Sequence, residues 1–174
     1  ANAEVVSGGA ERFESVANAL AAIPDDVGYV AVHDAVRPLT PTGLVDAVFA
    51  AAREHGAAML AVPVADTLKT VDADGRVTGT VPRAGVWQAQ TPQVFRRDWL
   101  VEAYARRADY GGAITDDAQL MEAAGHPVRV VTGSPVNFKI TTRDDLALAE
   151  AVLRAKDAKP AEKPTRAFDD EAKW

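Results

Sequence analysis

The sequence predicts an α/β fold: a mostly parallel sheet with helices on both faces and a projecting β-hairpin arm. Two kinds of segment point to the sheet. Short, almost wholly apolar runs, residues 28–33 (GYVAVH) and 57–64 (AAMLAVPV), have the length and composition of strands buried on both faces. They alternate with stretches of helical period, the pattern of βα units. A third feature breaks the alternation. The β-prone but polar segments 67–71 and 76–81 flank Asp72-Ala73-Asp74-Gly75, a hairpin signal. Too few large apolar side chains are present for that pair to enter a core, so it reads as an arm.

Residues 4–6 form a short strand-like stub running into Ser7-Gly8-Gly9. Over residues 15–23, Val16, Ala19, Leu20 and Ile23 make the i, i+3, i+4, i+7 stripe of a helix, and Pro24-Asp25-Asp26 ends it. Thr40-Pro41 reads as an N-cap with proline in the first turn, and Gly56 stands where that helix stops. After the hairpin, residues 86–90 return to the sheet. Residues 98–107 and 116–124 read as helices, 128–132 as a strand and 146–153 as the closing helix. From Lys156 the composition shifts to KDAKPAEKPTR, expected to be a disordered tail or linker over 156–174. The domain is thus expected to span 1–155, with the arm at 66–91.

Composition narrows the class. A chain of 174 residues, 48% hydrophobic and 25% charged, matches one ordinary globular domain. The absence of cysteine excludes disulfides and thiolate metal sites in this sequence. A net charge of −6 argues against a nucleic-acid polymer as partner. It still allows a small anionic substrate, because a few converging cations suffice in a pocket. No apolar run approaches the roughly 18 residues of a membrane span, and the first residues lack the pattern of a signal peptide. The expectation is a cytoplasmic enzyme without a membrane partner.

Candidate chemistry lies at the strand ends, where open α/β sheets bind ligands. Asp34 falls just beyond the buried run 28–33, with Arg37 in the loop that follows. The carboxylate there either faces a metal–phosphate complex, with the guanidinium gripping a phosphate, or merely caps the turn. His33 reads as a buried, hydrogen-bonded residue rather than a base. Gly8 and Gly9 permit close backbone approach, and Ser15 offers a hydroxyl at the helix start, either to a ligand or as an N-cap. Thr67 and Arg83 stand at the bases of the hairpin and Thr91 after it, on an arm that is either phosphate-binding or simply solvated. Thr115-Asp116-Asp117 reads as the acidic start of a helix. Lys139 and Thr141 occupy alternate positions of an extended stretch and would share a face.

Six segments in order tie these residues together: GGAERFESV from Gly8, HDAVRP from His33, PVADTLK from Pro63, WQAQTPQVF from Trp87, TDDA from Thr115 and NFKITTRDDLALAE from Asn137. In this they resemble the 2-C-methyl-D-erythritol 4-phosphate cytidylyltransferase family. The resemblance implies a Rossmann-like nucleotidyltransferase sheet and a reaction of CTP with 2-C-methyl-D-erythritol 4-phosphate, giving the CDP-linked alcohol and pyrophosphate. It further implies Mg²⁺ at Asp34 and a homodimer with interlocking arms. Arg37, Lys139, Thr115 and Thr141 would surround the reacting groups, with Asp34, Arg37 and Lys139 catalytic. Thr67, Arg83 and Thr91 would reach the neighbouring subunit's substrate, while Gly8, Gly9 and Ser15 line the cytidine pocket.

The family's Gly-rich AAGxGxR loop, followed by Pro-Lys-Gln, has no counterpart in these residues, which open at what reads as the third strand. A βαβ unit takes about 30 residues, so at least that much is expected to be lacking, and residues 1–174 alone are expected to show little activity. Two other readings stand beside this one: a CTP-dependent enzyme for another alditol phosphate, and an inactive dimerisation fragment.

Overall fold

The computed structural model describes residues 3–110 and 114–157. These belong to two compact units, residues 1–138 and residues 139–174. The first unit holds helices α1 (Arg12–Ala22), α2 (Thr42–His55), α3 (Arg97–Ala105) and α4 (Asp117–Ala123). Its strands are β1 (Tyr29–Val32), β2 (Ala57–Pro63), β3 (Leu68–Val71), β4 (Val77–Val81), β5 (Trp87–Arg96) and β6 (Arg129–Thr132). The second unit contributes α5 (Arg143–Asp157).

Four strands form one mixed sheet in the order β1-β5-β2-β6. β2 and β6 pair in parallel, whereas β5 lies antiparallel to both β1 and β2. Three of the four strands therefore share one direction, and β5 is inserted against it. Sequence reading expects only residues 86–90 to rejoin the sheet; the strand continues to Arg96 because its second half is core. Val94 and Phe95 are both fully buried, one on each face. Strand alternation explains the division. Val94 joins Ala58, Leu60, Val48 and Ala52 beneath α2, while Phe95 joins Leu20, Val30, Leu100, Leu120 and Met121 beneath α1, α3 and α4.

Gly56 closes α2 with φ of 87°, a conformation costly for residues bearing a Cβ. A Cβ there would also meet the Trp99 ring at 2.3 Å. That ring stacks on His126 at 4.2 Å, so this glycine lets α2 turn tightly into the buried strand β2.

The arm takes the form of a separate antiparallel sheet, β3–β4, with Val71 and Val77 exposed. Its paired residues run only from Leu68 to Val81. Trp87 to Thr91, expected within an arm spanning 66–91, instead belong to β5 in the main sheet.

Other local expectations also need correction. Residues 4–6 form no strand. Helix α1 begins at Arg12 rather than near Ser15, because the Glu14 carboxylate accepts the amides of Ala10 (2.6 Å) and Glu11 (3.2 Å) and starts the helix earlier. Ser15 is thus inside the first turns and is not the N-cap. Thr40 does not cap α2, since its hydroxyl lies 2.7 Å from Asn137 Oδ1 and 3.1 Å from Arg37 O. Residues 138–141 form no strand. Helix α5 starts three residues before Leu146 through a reciprocal cap: Thr142 Oγ1 accepts the Asp145 amide, and Asp145 Oδ2 accepts the Thr142 amide. It also runs to Asp157, past the expected tail boundary at Lys156; residues 158–174 lie outside the described residues. Among the described residues, no helix is long and apolar enough to cross a membrane.

Candidate functional site

Asp34 lies just past the carboxyl end of β1, with His33 between them. The Asp34 amide donates to Thr91 Oγ1 at 2.9 Å, and His33 Nδ1 stands 2.9 Å from the same oxygen. Arg37 Nε donates to Asp34 Oδ2 at 3.2 Å, and its Nη1 donates to the Asn137 carbonyl at 2.7 Å. The Asp34 and Arg37 side chains are only 17% and 11% exposed, so the pair is largely withdrawn from water yet still reachable. Partial desolvation strengthens such a contact relative to a surface pair.

Asn137 is the junction beneath this pair. Fully buried, it donates from Nδ2 to the Thr91 carbonyl at 2.9 Å and to Gln90 Oε1 at 3.3 Å. Gln90 Nε2 in turn donates to the Ser134 carbonyl at 2.9 Å. A Cβ on Gly133 would stand 2.3 Å from Gln90 Oε1, which explains the glycine at that position. Three chain segments are therefore linked by buried amides: the loop after β1, the middle of β5 and the loop after β6. Satisfied networks of this kind rigidify what they join.

Between α1 and β1 lies a groove of about 400 Å³. Val16, Leu20, Val30 and Leu100 make it apolar along its length, while Arg12, Ser15, His33 and Asp34 supply its polar rim. Ser15 Oγ accepts the Gly9 amide at 3.0 Å, holding the loop before α1 against the helix. A Cβ on Gly9 would lie 2.1 Å from Glu14 Cβ, so a glycine is required there for the loop to close on its own helix.

The start of α4 forms a second polar cluster. Asp116 caps the helix by accepting the Gln119 amide at 2.8 Å, as the acidic pattern predicts. Buried Gln93 donates to Asp116 Oδ2 and accepts the Ala118 amide, both at 2.9 Å. Asp117 behaves differently. It is buried, with Arg12 Nη2 at 2.7 Å from Oδ2 and the Tyr104 hydroxyl donating to Oδ1 at 2.5 Å. Burial and then the Asp117 charge push the Tyr104 phenol well above its usual range, so it stays a donor. Burial works against the Arg12 cation, but the hydrogen bond and charge of Asp117 outweigh it and raise that guanidinium above its ordinary value.

The structure thus brings Asp34, Arg37 and Thr91 together, with Ser15 on the same groove as Asp34. Thr91 is a correction: it is buried in β5 of the main sheet, where its hydroxyl accepts the Asp34 amide, so it does not sit on the arm. His33 is another. It is hydrogen-bonded as expected but exposed rather than buried. Thr67 and Arg83 are exposed at the hairpin base, where Arg83 Nη1 donates to the Ala65 carbonyl. Exposed Thr115 has its amide and hydroxyl on Gln119 Oε1, at 2.8 and 3.0 Å.

In the second unit, Lys139 and Thr141 are exposed, and Thr141 Oγ1 donates to Asp145 Oδ2 at 3.0 Å. The amides and hydroxyls of Thr141 and Thr142 hold Asp145 down at about 2. Sequence reading missed Arg12, Gln90, Tyr104, Asp117 and Asn137 as organising residues. Each does its work through a partner distant in the chain, and local patterns carry no sign of that.

Comparison with known proteins identifies the family. The family model for 2-C-methyl-D-erythritol 4-phosphate cytidylyltransferase matches residues 1–155. A protein of that name from Frankia casuarinae is 55% identical over 163 residues, covering 91% of this chain and 60% of the relative. One from Pelotomaculum thermopropionicum is 48% identical, covering 92% and 67% respectively. The crystal structure of the Thermus thermophilus protein of the same name superposes with a TM-score of 0.76 at 45% identity, over 84% of this chain and 71% of that one. The chain spans roughly two thirds or less of the length of these curated relatives. With the family model matched over nearly all of the described residues, the chain belongs to the 2-C-methyl-D-erythritol 4-phosphate cytidylyltransferase family.

Proposed function

We propose that the protein carrying this chain transfers CMP from CTP to 2-C-methyl-D-erythritol 4-phosphate, releasing pyrophosphate and giving 4-diphosphocytidyl-2-C-methyl-D-erythritol. One observation carries the reading: in a chain of this family, the Asp34–Arg37 pair is held at the carboxyl end of β1 by Thr91 and Asn137. That is where an open α/β sheet receives a nucleotide.

In this reaction a phosphate oxygen of the alcohol phosphate attacks the α-phosphorus of CTP. The bond from that phosphorus to the β-phosphate bridging oxygen breaks, and pyrophosphate leaves. The nucleophile is a phosphate monoester already ionised near neutral pH, so no strong base is required. What must be overcome is repulsion between two anions, and the means are positioning and cationic charge. Arg37 is the cation best supported by geometry, because Asn137 fixes its direction while it contacts Asp34. Lys139, Thr115 and Thr141 are assigned to the reacting phosphates and the methylerythritol by the family pattern. Gly8, Gly9 and Ser15 are assigned to the cytidine.

Mg²⁺ belongs to the same proposal. Among the described residues no group of three or more His, Cys, Asp or Glu could hold a metal ion. One carboxylate at a phosphate site suits Mg²⁺ nonetheless, since that ion is commonly held by one or two carboxylates together with substrate phosphates. Asp34 is the residue that would hold it. When bound, Mg²⁺ supplies neutralisation of phosphate charge.

Exposed β3–β4 supports reading this sheet as an arm that brings Thr67 and Arg83 to the site of a second copy, making the working unit a homodimer. A cytoplasmic location is part of the same proposal.

The test is pyrophosphate release by the complete gene product, followed by phosphorus NMR of the product. Release should require both CTP and 2-C-methyl-D-erythritol 4-phosphate. No release with that pair, or equal rates with ribitol or glycerol phosphate, would refute the assignment.

A further inference from the structure

Asp117 presents a physical puzzle. A carboxylate that is 1% exposed has lost its hydration, and a buried ion pair returns little net stability for that loss. Its partner is not buried with it: the Arg12 side chain is 41% exposed. A pair of this kind is an expensive way to stabilise a core but an effective way to aim a cation. Arg12 Nη2 is tied to Asp117 Oδ2, and Asp117 Oδ1 is occupied by the Tyr104 hydroxyl, so the acid has little freedom to turn. The adjacent turn is secured separately, with the Arg107 guanidinium 3.3 Å from the Phe13 ring centroid.

Where the guanidinium is held gives the puzzle its answer. Arg12 is on the polar rim of the groove between α1 and β1, together with Ser15 and Asp34. It is near enough to Asp34 for the two charges to interact. It also follows the Gly8-Gly9 loop and shares its helix with Ser15, which accepts the Gly9 amide. A partly exposed cation fixed beside a candidate nucleotide loop meets an anion, and the anion that enters there on the proposed reaction is a nucleotide phosphate.

We propose that Arg12 binds a phosphate of the nucleotide and that Asp117, backed by Tyr104, is the residue that positions it. This rests on the CTP-dependent reading above. It adds a cation that sequence patterns did not single out, and gives the acidic start of α4 a task besides capping.

The experiment uses the complete gene product with Arg12→Ala, Arg12→Lys, Asp117→Asn, Tyr104→Phe and the double variant Arg12→Ala/Asp117→Asn. Pyrophosphate release is measured while CTP and the alcohol phosphate are varied separately, alongside titrations with CTP and with cytidine. Arg12→Ala should weaken CTP binding and raise its KM about tenfold or more. Cytidine affinity and the alcohol-phosphate KM should stay within about twofold. Arg12→Lys should recover part of the loss. Asp117→Asn should raise the CTP KM less than Arg12→Ala does, Tyr104→Phe less again, and the double variant should match Arg12→Ala alone.

Arg12→Ala strands a buried carboxylate; the double variant removes that charge and carries the test if the single variant does not fold. An unchanged CTP KM in a folded variant lacking Arg12 would overturn the proposal. So would equal losses for CTP and cytidine, or a rise confined to the alcohol phosphate. A wild-type protein that neither binds CTP nor releases pyrophosphate would bring down the parent reading too, whereas an active wild type with an indifferent Arg12 would bring down this one alone.

Discussion

Thr91 Oγ1 accepts the amide of Asp34 at 2.9 Å, across 57 residues of chain. A hydroxyl on β5 therefore sets where the loop after β1 places its carboxylate. The threonine is buried, so no solvent molecule easily replaces it.

Removing that acceptor should be costly in two ways. Thr91→Val keeps the shape but leaves the Asp34 amide and His33 Nδ1 without this oxygen, a loss of about 1–3 kcal/mol in stability. Misplacement of Asp34 should lower kcat/KM on the order of ten- to a hundredfold. Thr91→Ser, which retains the oxygen, should recover most of both. Steady-state kinetics with urea denaturation decide it; a Val variant as active as wild type would show that this contact does not position Asp34.

Gly56→Ala should destabilise without touching the site. Both the positive φ and the Trp99 ring oppose a methyl group there. We expect a loss of about 2–3 kcal/mol, read as a lower urea midpoint with an unchanged slope. A variant as stable as wild type would mean that α2 and Trp99 yield readily.

The cap of α5 should be sensitive to acid. Asp145 titrates at about 2 instead of the ordinary 3.8, because the Thr141 and Thr142 amides and hydroxyls bind its charged form. A depressed carboxylate contributes its stabilisation fully above its unfolded value and loses it as pH falls through the folded one. Fraying of the first turn of α5 should accordingly begin below about pH 4 and finish near pH 2. Carbon-detected NMR of the Asp145 carboxyl checks the titration. A midpoint near 3.8 would mean the cap is open in solution.

Arg83→Ala tests the arm. If the arm serves a second copy, this variant should raise the KM for the alcohol phosphate about tenfold or more. Mixing it with an inactive Asp34→Asn variant should restore part of the activity, since a mixed dimer then keeps one complete site. No recovery at any mixing ratio, with exchange of subunits verified, would argue for a site completed within one chain.

Several features were open to reading from residue order alone. The apolar runs at β1 and β2, the helix stripe of Val16, Ala19 and Leu20, the Asp-Gly turn of the hairpin and Gly56 as a stop all follow from local periodicity and turn chemistry. Asp34 and Arg37 were also legible, because a charged pair just after an apolar run stands out in any α/β pattern. That run is not buried on both faces, however: β1 lies at the sheet edge, and Val30 alone in it is buried. The six segments in register carried the family.

Tertiary structure decided the rest, since it depends on which segments meet. The reversed insertion of β5 between β1 and β2 moved Thr91 from the arm into the core. It also gave Asn137 and Gln90 their role as links between loops. Asp117 looks like any first-turn acid in the sequence; only burial against Arg12 and Tyr104 separates it from the capping Asp116 beside it. Periodicity reports which face of an element turns inward, but a hydrogen bond between residues far apart in the chain exists only once the sheet has brought them together.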